Sequence, residues 1–175
     1  MKRLIPLGLL IASGLLLAGP AAAGDARCLM EHLPADKRAQ VEALYARSVD
    51  EGLASSLYSE ADFEAMLAAC EVPLDNSDQL TAAAQALAGY EAETGVALWL
   101  KTNRDIDERT LQGVWKASRL ADPAVAEAAS GDEDLAATLV FELAAKLGLE
   151  DQEDLGALAA YVSARLLRQV SERKF

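Results

Sequence analysis

The sequence predicts an all-α protein, a compact irregular bundle of six to seven helices with one disulfide. Apolar residues recur at i, i+3, i+4 and i+7 along most of the chain, without sustained two-residue alternation. Residues that start helices, chiefly Ser, Asp and Pro, stand just ahead of these runs. The only two cysteines, Cys28 and Cys70, follow a segment with the layout of an export signal, and two such cysteines are expected to pair.

That segment is residues 1–23. Lys2 and Arg3 form a positive start, and Leu4 to Leu17 is mostly apolar. Gly19-Pro20 ends any helix, and Ala21-Ala22-Ala23 offers small residues for cleavage. A membrane span needs about 20 apolar residues, more than this stretch supplies. The expectation is a cleaved secretory signal peptide over 1–23 and a single helical domain over 24–175. The mature chain is then a bacterial periplasmic or secreted protein with no stable membrane anchor.

The chain carries 28 acidic and 16 basic side chains, a net charge of −12. Loss of Lys2 and Arg3 with the leader leaves the mature chain more acidic still. Such a surface repels nucleic acid and anionic headgroups and favours basic partners.

The first helix is expected from Pro34 to Val49, with Val41, Leu44, Tyr45 and Ser48 inward and Gly52 as its stop. Ser59 and Asp62 make a short capping pair for the next, which buries Phe63, Met66, Leu67 and Cys70 before Pro73. Asp75 or Ser77 then opens a long helix to about Thr102, with a face of Leu80, Ala83, Ala84, Leu87, Tyr90, Thr94 and Leu98. Gly89 and Gly95 lie within it, where a kink or a close helix approach is expected. Asp105 and Glu108 open a helix over 106–120 that buries Leu111, Val114, Trp115 and Ser118. Asp122-Pro123 starts a short helix to Gly131. Another runs from Asp132 to Leu147, where Gly148 stops it. The last begins at Asp151 and buries Leu155, Leu158, Ala159, Val162 and Leu166. No signature recurs at a fixed period, which excludes a tetratricopeptide array.

Little reactive chemistry is visible. Cys28, Met30 and His32 crowd five residues, and His32 is the only histidine. A Cys28–Cys70 bridge closes a loop of about 40 residues, worth roughly 4 kcal/mol on the chain-entropy estimate. It leaves too few ligands for a structural zinc site, so no metal or other cofactor is expected. The acidic groups Asp105–Asp107, Asp132–Asp134 and Glu150–Asp154 lack the EF-hand spacing and suit helix starts instead. There is no nucleophile elbow and no phosphate loop.

The reading that remains is a small exported acidic protein acting by binding, as a periplasmic accessory, adaptor or inhibitor. Its partner is expected to be another protein, and the acidic surface favours a basic one. The candidate contact surface is Trp99 with Leu100, in the run Gly95-Val-Ala-Leu-Trp-Leu100, because six successive apolar residues cannot all face one core from a helix; the alternative is that both sides of this helix are buried in the bundle. Two alternatives stand beside it. One is a muramidase-type helical hydrolase using a buried glutamate, with Glu142 as the acid because it interrupts an apolar run. The other is a carrier of a small apolar ligand.

Overall fold

The long helix Ser77–Arg104 is the axis of the bundle, and its composition explains why. Alanine and glycine at Ala82, Ala83, Ala86, Gly89, Ala92 and Gly95 are buried, so neighbouring helices approach its backbone from more than one side. The computed structural model describes residues 24–55, 58–73 and 75–174, and the leader predicted over 1–23 lies outside them. Among the described residues there are nine α-helices and no strand. They are α1 (Ala26–Glu31), α2 (Ala35–Arg47), α3 (Val49–Leu53), α4 (Glu60–Ala69), α5 (Ser77–Arg104), α6 (Glu108–Lys116), α7 (Pro123–Gly131), α8 (Glu133–Leu147) and α9 (Gln152–Ser171). A 3-10 turn at Arg119–Ala121 joins α6 to α7. No described helix is long and apolar enough to cross a membrane.

The start signals act largely as the sequence implies. Ser59 and Asp62 form the reciprocal capping box of α4. Asp122 accepts from the Ala124 N–H and Asp132 from that of Leu135. Four details differ. Asp107, rather than Asp105, caps α6 by accepting from the Thr110 N–H, and Asp105 instead ends α5 in the left-handed region. Asn76, rather than Asp75 or Ser77, caps α5 by accepting from the N–H groups of Asp78 and Gln79. The helix expected over 106–120 ends at Lys116, and Ser118 recaps the chain by accepting from the Leu120 N–H. Asp151 starts α9 without a side-chain cap, while Asp154 is buried and takes Arg104 as its partner.

The two helices beyond the expected number are α1 and α3, of six and five residues. Neither is long enough to show periodicity, and each is held by what it packs against. Gly52, read as a stop, sits inside α3 because a Cβ there would meet the Tyr45 ring at 2.4 Å. Gly95 borders the same ring, where a Cβ would come within 2.3 Å. Tyr45 therefore lies in a slot between α3 and α5, 1% exposed. Gly89 marks the closest approach of α5 to α9: a Cβ would stand 2.7 Å from the Ala164 carbonyl oxygen. The glycines of α5 thus serve close approach, and the helix is continuous through them.

The buried apolar residues fall into two groups that share α5. The larger includes Val96, Trp99, Leu100, Trp115, Leu139, Leu158 and Val162, and joins α5 to α6, α7, α8 and α9. The smaller packs Leu29, Met30 and Leu33 against Met66, Leu67, Ala83 and Leu87. The Cys28–Cys70 disulfide spans this smaller group, with Cα atoms 6.0 Å apart, and fixes α1 to the end of α4. The cysteines are 42 residues apart, so the bridge mainly restricts the unfolded chain. Reduction, or replacement of both cysteines by serine, is expected to lower stability by up to about 4 kcal/mol. Thermal melts with and without a phosphine reductant check this, and an unchanged melting temperature would contradict it.

Candidate functional site

Burial rearranges the residues that carry function. Trp99 and Leu100 were expected at a contact surface, but they are 3% and 0% exposed. The expectation assumed a helix with one covered face. Instead α3 packs on one side of α5 and α9 along another, which encloses the apolar run. Trp99 reaches a surface groove only at an edge, among Ser48, Val49, Gly156 and Ala157. Arg104 lies over its ring at 5.0 Å and pairs with Asp154 and Glu153. Glu142 is corrected as well. It is not a buried acid but lies half-exposed on α8, 3.5 Å from Arg119.

The stretch around His32 is a clip. Both cysteine sulfurs are bonded to each other, and Met30 is buried in the smaller core. The ring of exposed His32 lies beside the bridge, with the potential ligand atoms of Cys28, His32 and Cys70 all within 4.8 Å of one another. With the bridge formed, one imidazole nitrogen is all that this group can offer a metal, short of the ligand set of a closed zinc site.

The buried acids lie elsewhere, on α5. Glu91 and Glu93 are each 7% exposed. Glu93 is fully engaged. Its carboxylate accepts from Arg168 at 2.7 Å and lies 3.4 Å from Arg165. Arg165 in turn donates to the Tyr161 hydroxyl and to Gln112, and stacks 4.4 Å over Trp115. Arg168 also pairs with Glu172. This network joins α5 to α6 and α9, and its role is structural.

Glu91 has no such support. It follows Leu87 and precedes Gly95 by one helical turn each, so the backbone places it on the buried face. Among the described residues no donor reaches its carboxylate, and the Tyr45 and Tyr58 phenols are its polar neighbours. Burial pushes the Glu91 carboxyl up to about 7. Burial first, and then the Glu91 charge, raises both phenols, so they stay neutral.

Glu91 borders two surface clefts. One, of about 380 Å³, opens between α1, α2 and α5 and carries Arg27, Glu31, Arg38 and Glu42. The other, of about 360 Å³, opens between α3, α5 and α9. Its wall is made of Ala88, Gly89, Ala92, Ala160 and Ala164, with Ser55, Ser163 and the two phenols adding hydroxyls. Leu53 and Leu167 line it too, and they are 48% and 40% exposed. The arrangement is an apolar groove with one desolvated carboxylate and no basic side chain in its lining.

The carboxylate has a measurable consequence for stability. Below about pH 4.5, the ordinary value for this group, folded and unfolded chains both hold the proton. Between there and about 7 the unfolded chain releases it while the folded chain keeps it, so stability falls as pH rises through this window. The complete loss amounts to at most about 3 kcal/mol. Glu91→Gln is expected to raise the melting temperature at pH 8 and to leave it nearly unchanged at pH 4. Paired melts of both proteins check this, and an equal difference at the two pH values would contradict it.

No protein-family model, curated protein or solved structure matches this chain.

Proposed function

We propose that the chain is a small exported accessory protein that acts by binding another protein, as an adaptor or inhibitor, through the cleft between α3, α5 and α9. One observation carries the reading: a buried carboxylate, without a donor among the described residues, borders an apolar cleft whose lining includes two exposed leucines. Leaving such a group without a donor costs stability, and a bound partner that supplies one recovers it. The leader-like residues 1–23 and the disulfide support the exported setting. The net charge of −12 supports a basic partner.

A photo-crosslinking residue at Leu167 tests this in the exported protein. The expected result is a discrete protein adduct from Leu167 and none from the same residue at Ala137, which is exposed on α8 and outside the cleft. Adducts from both positions alike, or from neither, would overturn the reading.

A carboxyl that titrates near 7 also suits a general acid, which keeps a hydrolase as the second reading with Glu91 in place of Glu142. Glycoside hydrolysis calls for a second carboxylate across the scissile bond, and among the described residues Glu91 is the only one lining this cleft. Binding is therefore the stronger reading. Dye release from labelled peptidoglycan by the wild type, lost in Glu91→Gln, would reverse the order.

A further inference from the structure

We propose that the Glu91 cleft is a receptor for one cationic side chain, the ammonium or guanidinium group of a lysine or arginine presented on its aliphatic stem by a partner protein. This rests on the protein-binding reading above and names the chemistry that the partner must bring.

The lining specifies the occupant from both ends. At the floor, a carboxylate that is 7% exposed lacks a donor among the described residues. A cation placed there gains a charge-assisted hydrogen bond to a largely buried carboxylate. At the mouth, alanines and the Leu53 and Leu167 side chains match a chain of methylenes, the part of lysine or arginine that packs on apolar surface. The volume of about 360 Å³ accommodates such a side chain. Among the described residues no Lys or Arg lines the cleft to compete for the carboxylate. The cleft on the other flank of Glu91 is different, because Arg27 and Arg38 line it together with Glu31 and Glu42, so it already holds charges of both signs.

A cation requires Glu91 in its ionised form, so affinity must follow the titration of that group. The ionisable groups that face it are few. Tyr45 from α2 and Tyr58 ahead of α4 stay neutral across the working range. Arg27 and Glu31 from α1, with Arg38 and Glu42 from α2, border the far cleft. The portions of α3 and α9 that line the near cleft contribute no ionisable side chain.

The test uses the whole mature protein and three short capped peptides that differ at one position, carrying lysine, arginine or norleucine. Binding is read from amide shifts in nitrogen–proton correlation spectra. The expected result is saturable shifts confined to residues 88–92 and 160–167 with the lysine or arginine peptide. Affinity should be at least tenfold weaker at pH 5.5 than at pH 8, because most Glu91 is protonated at the lower value. Norleucine should bind at least tenfold more weakly, and Glu91→Gln should lose the preference for charge while keeping its fold. Equal binding of lysine and norleucine peptides, equal binding by Glu91→Gln, or shifts spread over the acidic surface would overturn the proposal. Its failure is distinguishable from that of the parent reading. A Leu167 adduct that persists in Glu91→Gln, with no peptide preference, retains protein binding and removes the cation site. Peptide binding without any adduct retains the cation site and removes the adaptor role.

Discussion

Replacing Trp99 by alanine is expected to destabilise the fold by about 3–5 kcal/mol, the range for removing a buried aromatic that neighbours cannot replace. The ring is 3% exposed in the larger core, where Val96, Leu100 and Leu158 are also buried. Relaxation around the void is restricted, because α5 already lies against α9 at Gly89 with no room for a Cβ. Arg104 would also lose the ring it covers, although its pair with Asp154 remains. Urea denaturation followed by circular dichroism measures the cost. A change within about 0.5 kcal/mol would instead mark Trp99 as a surface residue, as the sequence led us to expect.

Glu93→Ala is expected to cost a similar amount, about 3–5 kcal/mol, for a different reason. Removing Glu93 from this buried ion cluster leaves Arg165 without a carboxylate and Arg168 with Glu172 alone. The Arg165 and Arg168 side chains are 9% and 19% exposed, and the Arg165 Nε already lacks a partner among the described residues. Without Glu93, two guanidinium groups would face each other beneath α5. Glu93→Gln should cost less, because an amide oxygen still accepts from Arg168. The exposed Arg47–Glu51 pair on the surface provides the control, where Glu51→Ala should change stability by less than about 1 kcal/mol. Equal effects of Glu93→Ala and Glu51→Ala would show that the cluster is solvated rather than buried.

Helices that carry their own signals were legible in the sequence. The Ser59–Asp62 capping box, Pro123 in the first turn of α7 and Gly148 at the end of α8 are local features, and the structure has each. The disulfide was legible as well, because two cysteines allow one intramolecular pairing. The short helices were not, since α1 and α3 depend on the disulfide and on the Tyr45 slot, which are tertiary facts.

The site was missed for a related reason. Glu142 and Glu91 both interrupt helical runs of small or apolar residues, and sequence spacing alone does not rank them. Their neighbours decide. α8 is covered on one side, which leaves Glu142 beside Arg119 near solvent, whereas α5 is covered on several. The signal present in the sequence was the spacing of Glu91 from Leu87 and Gly95. The predicted apolar face ran through Tyr90 and Thr94 instead, and Thr94 is exposed. Trp99 shows the same error in reverse: an over-apolar run reads as a contact patch when the helix has one covered face, and as core when it is the axis.

The account turns on the state of one carboxyl group, so the most direct measurement is the titration of Glu91 itself. Carbon-13 labelling of the side-chain carboxyls, with Glu91→Gln to assign the resonance, gives its midpoint in the intact fold. The account predicts a midpoint near 7, reached because the group is buried without a donor. A midpoint near 4.5, the ordinary value for this group, would mean that the carboxylate is solvated or already paired, and the proposed function would lose the buried, donorless group on which it depends.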